Sequence, residues 1–214
     1  ALSSSLSRAR EKDILVHDDD DTLEPHFLER TVGYLEDDKE NLFSGVTTSN
    51  YDVHEEVRNN TIIINKKDNS RGLKNGTIID YSLYLSGVGI IIPISLLFRR
   101  DRIKLSGNID TNMKHYEDHD LFLRLMQYGE IGIVQDFLCS YHHRPSSGTS
   151  LDTSRHEKNY DYHVAYRNNI IRAGIANKSA IKTLQSHFIQ GKTIDEYHTN
   201  YLLMQVNELS NGFT

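Results

Sequence analysis

Four aspartates in a row, Asp18 to Asp21, stand one residue beyond the apolar run Ile14-Leu15-Val16. Neighbouring carboxylates repel one another by a few tenths of a kcal/mol or more per pair, so such a cluster calls for a cation among its members. Just after a buried strand, they occupy the edge of an open α/β sheet where ligands bind. Hard oxygen ligands there suit Mg²⁺ or Mn²⁺ holding a phosphate group. A solvated acidic turn is the plain alternative, and the position directly after a strand favours the metal. A second acidic group, Glu117, Asp118 and Asp120, falls in the first turn of a stretch with helical character. The helix dipole stabilises ionised carboxylates there by ~0.3–1 kcal/mol each, so taken alone they read as ordinary N-terminal capping.

The elements that must hold these groups are read from periodicity. Ile14-Leu15-Val16 predicts a buried strand that stops at the acidic cluster. Pro25 stands where a first helical turn begins, and Phe27, Leu28, Val32 and Leu35 repeat at helical spacing to about residue 36. Residues 41–48 predict a strand. Thr61–Asn65 and Thr77–Tyr81, around Asp68-Asn69-Ser70 and Asn75-Gly76, predict a surface hairpin. The apolar run 88–98 ends in Arg99-Arg100-Asp101-Arg102. These arginines read as a solvated face, with steering of a diphosphate as the alternative. A polar loop from Ser106 to Tyr116 leads into a helix from Glu117 to about Tyr128 with Gly129 as its stop. Strands at 131–135 and 137–142 lead to a loop at Arg144-Pro145-Ser146-Ser147-Gly148. Leu2, Leu6 and Ala9 are spaced as in a helix over 1–12, and residues 151–214 alternate at helical period. The pattern predicts an α/β body over 1–150 and a helical tail over 151–214.

Length and composition set the outer limits. The 214 residues suffice for one domain with an appendage or two small ones. Apolar residues make up 37%, with 13 glycines besides, and charged residues 25%, which argues against wholesale disorder. With 24 Lys+Arg against 30 Asp+Glu the net charge is −6, against a general nucleic-acid binder, which needs a basic footprint. The single cysteine, Cys139, allows no internal disulfide and no Cys/Cys zinc pattern, in keeping with a reducing compartment. Gly87 to Phe98, the longest apolar stretch, is interrupted by Pro93 and falls well short of the ~20 residues of a membrane span. No signal peptide is visible. The expectation is a cytoplasmic protein, at most peripheral at the inner face of a membrane. The chain opens at Ala1 inside a helix-like stretch, which predicts that the working protein extends further upstream.

Three metal-site patterns compete for the acidic run. An EF-hand takes Asp18, Asp20, Thr22 and Glu29 as loop positions 1, 3, 5 and 12, but Leu23 stands where position 6 needs glycine and a strand precedes the loop. That reading fails. Asp18-x-Asp20-x-Thr22 after an apolar strand resembles the first motif of haloacid-dehalogenase-like phosphatases, which makes Asp18 a nucleophile. Such a phosphatase wants its second acidic pair after an apolar strand, whereas the polar stretch Asn108 to Tyr116 precedes Glu117 here. Asp18-Asp19-Asp20 also resembles the Asp-x-Asp of nucleotide-sugar transferases.

The ordered set of motifs resembles a family 2 glycosyltransferase of the GT-A type. Asp13 to Leu28 is similar to the family's strand, Asp-x-Asp-Asp and following helix, with Ala1 to Ala9 similar to the helix before it. Phe98-Arg99-Arg100 followed by Leu105-Ser106-Gly107-Asn108-Ile109-Asp110 is similar to the family's Phe-Arg-Arg and Gly-Gly-Phe-Asp stretch. Glu117-Asp118-His119-Asp120-Leu121 with Leu123-Arg124-Leu125 matches Glu-Asp-x-Asp-Leu-x-x-Arg-Leu. Tyr141-His142-His143 resembles the late Tyr-Arg-x-His loop. The likeness covers residues 1–150 in the right order. The family's N-terminal half, which holds the base and ribose of the donor, has no counterpart in the chain.

The resemblance implies a GT-A-like, Rossmann-like mixed sheet flanked by helices. It implies a metal-dependent inverting glycosyltransferase that moves a sugar from a nucleotide-diphosphate sugar, a UDP-sugar being expected, to a hydroxyl of a glycan, lipid-linked or protein acceptor. Asp20 and Asp18 would hold Mn²⁺ or Mg²⁺, with His143, or alternatively His142, completing the set. Asp18, Asp19 and Asp20 would contact the donor, Asp118 would be the general base, and Glu117 and Asp120 would shape the acceptor pocket. Processive members carry Gln-x-x-Arg-Trp; this chain has no tryptophan, which implies one sugar per encounter. The tail is expected to pack on the domain, with a homodimer or a membrane-surface contact as the alternatives. A dehalogenase-like phosphatase and a non-catalytic binding fragment remain the alternatives.

Overall fold

A computed structural model describes residues 9–59, 61–69, 72–73, 76–81, 84, 91–107, 109–110 and 117–144. These form a mixed α/β structure around a six-stranded sheet. Its strands are β1 (Asp13–Leu15), β2 (Thr22–Leu23), β3 (Phe43–Arg58), β4 (Thr61–Asp68), β5 (Leu96–Arg99) and β6 (Glu130–His143). The order is β1-β5-β3-β6-β2, with β4 on β3. β3 and β6 run parallel, from Phe43 opposite Glu130 to His54 opposite His143, and every other pairing is antiparallel. Helices accompany it among the described residues: α1 (Phe27–Asp37), α2 (Arg100–Ser106) and α3 (Glu117–Leu125). A mixed sheet with flanking helices is the predicted fold class.

The local sequence explains the central elements. In α1, Phe27, Thr31 and Leu35 recur at helical spacing and are all buried. Phe27 and Leu35 join Val46, Ile94, Leu97, Val134, Leu138 and Cys139 in one apolar cluster. Two glycines let layers close up. A Cβ on Gly45 would lie 2.7 Å from the Leu97 carbonyl oxygen, and on Gly132 it would collide with the Tyr34 ring. Gly107 follows α2 at φ +79, a conformation that glycine adopts without strain.

Several elements depart from expectation. Thr61–Asn65 does not pair with 77–81. Thr61–Asp68 folds back on β3 instead, just beyond Asn59 at φ 49, while Ile78 bridges Gly132. β3 therefore continues ten residues beyond the predicted stop at 48. The two strands expected at 131–135 and 137–142 are one continuous β6. Of the apolar run 88–98, the described part is a short 3₁₀ turn, Pro93–Ser95, leading into β5. The helix at 117 ends at Leu125 rather than 128. Residues 9–12 are not helical, whereas residues 1–8, the loop beyond Arg144 and the tail over 151–214 lie outside the described residues.

Arg99 overturns the reading of the basic run as a solvated face. It is buried, and its guanidinium donates to Leu35 O at 2.7 Å, Phe43 O at 3.1 Å and Asp38 Oδ2 at 3.2 Å. The bond to Leu35 satisfies a carbonyl in the last turn of α1. Burial alone would raise the Asp38 carboxyl, but amide hydrogen bonds from Phe43 and Leu42 and the guanidinium outweigh it and hold it below the usual carboxylate range. Arg99 is thus a structural pin joining α1, β3 and β5.

Candidate active site

The acidic run forms a tight turn between β1 and β2. Asp21 N donates to Asp18 O at 3.4 Å, and His17 Nε2 meets Asp21 O at 3.0 Å. The turn directs three of the four carboxylates together: oxygens of Asp18, Asp20 and Asp21 all lie within 4.8 Å of one another. Asp19 stands outside this group. At an effective dielectric of about 20, two ionised carboxylates at that separation repel by about 3 kcal/mol. The titration follows. Burial raises Asp18, and Asp20 and Asp19 raise it further. Asp21 is 4% exposed, and burial pushes it up to about 6; the His142 amide opposes the rise and Asp20 and Asp18 add to it. Three hard oxygen donors held together against their own repulsion fit a divalent cation.

The first turn of α3 enters the same field. Burial raises the Asp118 carboxyl; the His119 amide, donating to Oδ1 at 2.8 Å, opposes this, and Glu117 and Asp18 add to it. Tyr141 on β6 connects the two groups. Burial raises its hydroxyl, and Asp21, Asp20, Asp118 and Asp18 each raise it further. One phenol therefore stands in the field of the carboxylate turn and of Asp118 together. The predicted residues Asp18, Asp20, Glu117 and Asp118 are brought into one electrostatic neighbourhood, with Asp21 and Tyr141 added.

The other predicted positions have separate engagements. Asp120 Oδ2 accepts two hydrogen bonds from Arg124, at 2.7 and 2.9 Å, and Arg124 also donates to Ser106 O and Gly107 O, tying α3 to the end of α2. His143 Nε2 lies 2.8 Å from Asp52 Oδ1, and its ring meets Tyr141 edge-on with centroids 4.6 Å apart. Its Nδ1 has no hydrogen-bond partner among the described residues. His142 differs. Nδ1 meets Glu55 Oε1 at 2.7 Å, Nε2 meets Thr22 Oγ1 at 3.1 Å, and the main-chain N–H donates to Asp21 Oδ1 at 3.0 Å. Cys139 is buried beside Thr48, and burial pushes its thiol up to about 12, so it is no nucleophile.

Asp52 and Glu55 escape sequence reasoning, and Tyr141 enters it only as the first residue of the late-loop motif, with no role of its own. Asp52 and Glu55 lie in a polar stretch that carries no motif, and only the pairing of β3 with β6 sets them against the two histidines. Asp21 was in view as part of the run, but nothing in an unbroken row of aspartates tells which carboxylates converge.

No family model matches the chain. No curated protein matches it either. Among solved structures it is similar to residues 1–349 of S. aureus TarS, a glycosyltransferase, at 13% identity and a TM-score of 0.48, over 65% of this chain and 38% of that one. The chain thus spans well under half the length of that structure. A likeness of this degree assigns no chemistry, and the functional reading rests on the chain's own residues.

Proposed function

We propose that this chain carries the sugar-transfer centre of a metal-dependent, inverting glycosyltransferase that uses a nucleotide-diphosphate sugar. The observation that supports this reading is the convergence of Asp18, Asp20 and Asp21 in the turn after β1, with carboxylate oxygens within 4.8 Å of one another. Asp18, Asp20 and Asp21 would hold Mn²⁺ or Mg²⁺. When bound, the ion neutralises charge that builds on a departing nucleoside diphosphate. His143 is favoured over His142 as a further ligand, because both ring nitrogens of His142 are engaged, whereas one of His143 has no hydrogen-bond partner among the described residues. Asp19, on the exposed side of the turn, is left for the donor.

Asp118 then takes the proton of the acceptor hydroxyl as that oxygen attacks the anomeric carbon, and a single displacement inverts the centre. A raised carboxyl suits a base working near neutral pH. Glu117 borders the acceptor, and Asp120 acts through its pairing with Arg124 to hold α3 in place. The donor is a UDP-sugar, and the acceptor is a glycan, a lipid-linked sugar or a protein. A phosphatase with Asp18 as nucleophile is less well supported, since its second acidic pair should follow a strand and Glu117 and Asp118 instead open a helix. No helix among the described residues is long and apolar enough to cross a membrane; a cytoplasmic, peripheral site of action is part of the proposal.

Calorimetric titration of UDP and a panel of UDP-sugars, with and without Mn²⁺, tests the reading. Binding should require the metal, and Asp20→Asn should weaken it at least tenfold by removing a charged ligand. Metal-independent binding that ignores Asp20→Asn would overturn the proposal, and a phosphoenzyme on Asp18 would replace it with the phosphatase.

A further inference from the structure

Beside the carboxylate turn, the ends of β3 and β6 bury a second set of polar side chains. Glu55 is 6% exposed although it lies in the outer half of β3, where the β3–β4 register shifts between His54 and Glu55. Both of its oxygens are engaged: Oε1 faces His142 Nδ1 at 2.7 Å and Oε2 accepts from Arg144 Nε at 2.6 Å. A carboxylate accepts, so Nδ1 carries the proton between them. In the neutral ring, Nε2 is then the acceptor for the Thr22 hydroxyl at 3.1 Å. The same residue donates its main-chain N–H to Asp21 Oδ1. One residue of β6, held by Glu55, thus grips the last aspartate of the turn and the first residue after it. β2 has two ladder positions, Thr22 opposite Ser140 and Leu23 opposite Cys139, and just beyond them Glu24 N donates to Leu138 O at 2.9 Å; this main-chain pairing begins only after Asp21 and leaves the end of the turn itself to the His142 contacts.

We propose that Glu55 is a positioning residue for the carboxylate turn: through His142 it clamps Asp21 and Thr22 to β6, and so sets the spacing at which Asp18, Asp20 and Asp21 converge. The link to metal binding rests on the function proposed above, whereas the clamp itself does not. A carboxylate behind a histidine that orders metal-binding residues is a common outer-shell arrangement. Here the histidine acts on the ligands instead of being one.

The test uses Glu55→Gln, Thr22→Val and Thr22→Ser, with two readouts. The first is amide hydrogen exchange of the metal-free protein. The second is Mn²⁺ affinity from the electron paramagnetic resonance of the free ion. Thr22→Val should speed exchange at residues 21–24 by roughly three- to tenfold, the effect of losing one hydrogen bond, with β1 and β5 unchanged; Glu55→Gln, whose single amide oxygen can accept from His142 or from Arg144 but not from both, should do so by up to the same factor. Both should raise the Kd for Mn²⁺ by a similar factor. Thr22→Ser keeps the hydroxyl and should match the parent protein in both readouts. Should Glu55→Gln fail to fold, because Arg144 loses its charge partner, the contrast between Thr22→Val and Thr22→Ser decides alone. Parent-like exchange at 21–24 in Thr22→Val overturns the clamp, as does a loss in Glu55→Gln spread evenly over all strands. If the parent protein binds no Mn²⁺, the metal reading falls, and exchange alone judges the clamp.

Discussion

Replacing Asp21 by asparagine should stabilise the metal-free protein while weakening its hold on metal. Asp21 is pushed up to about 6 from an ordinary 3.8. The folded chain therefore holds this proton more tightly than the unfolded chain does. Stability from this source is complete below pH 4, is lost as the pH rises from 4 to 6, and stays lost above 6. The interval between the two values corresponds to roughly 3 kcal/mol, which solvent at the mouth of the turn and local relaxation reduce to about 1–3 kcal/mol. Asparagine keeps the oxygen that accepts the His142 amide and carries no charge, so it escapes the penalty. The Tm of Asp21→Asn should equal the parent value at pH 4 and exceed it by about 2–10 °C at pH 7.5 in a chelating buffer. Added Mn²⁺ should raise the parent Tm at pH 7.5 and move the variant much less. Melting curves across pH 4–8, with and without Mn²⁺, measure all of this. A difference independent of pH, or a variant less stable at pH 7.5, would refute the claim that folding holds the Asp21 carboxylate where burial, helped by its neighbours' charge, disfavours ionisation.

Two further outcomes follow from the same geometry. Asp118→Asn keeps shape and hydrogen bonding but cannot take a proton, so steady-state kinetics should show kcat down by roughly 10²–10⁴-fold with donor affinity near the parent value; comparable kcat would remove Asp118 from the mechanism. Arg99→Met strips the donor from Leu35 O and Phe43 O and leaves Asp38 without its cation, so chemical denaturation should show a loss of about 3–5 kcal/mol; a loss below 1 kcal/mol would show that the arginine is not the pin described.

What could be read from the sequence is what alternation and punctuation encode. Ile14-Leu15-Val16 before an acidic run marks β1 and its exit, and the spacing of Phe27, Leu28, Val32 and Leu35 marks α1, although Leu28 proves exposed and Thr31 takes a buried place on the inner face. β3 is only half legible because its outer half, Ser49 to Arg58, is polar where an apolar alternation is expected. Ser49, Asn50, Asp52 and Glu55 are nonetheless buried. Asp52 and Glu55 meet histidines at the end of β6, 91 and 87 residues away. Partners that distant leave no local mark. Arg99 hides for the same reason: a guanidinium in a basic run reads as surface, and only the fold brings Leu35, Phe43 and Asp38 around it.

The stretch that advertises chemistry is also the one that opposes folding. Asp18, Asp20 and Asp21 gain nothing from proximity unless a cation joins them, so elements on either side must hold the turn closed. β1 fixes its entry through pairing with β5. Its exit has two ladder positions, the Glu24 amide on Leu138 O, and the grip of His142. The histidine is held in turn by Glu55, and Glu55 by Arg144, so a conspicuous motif depends on a buried chain of ordinary-looking residues. Such an arrangement trades stability for a preformed site. It also explains why runs of aspartate are common in surface turns that bind nothing. The row of carboxylates is easy to encode. The distant strand that makes three of them converge is not.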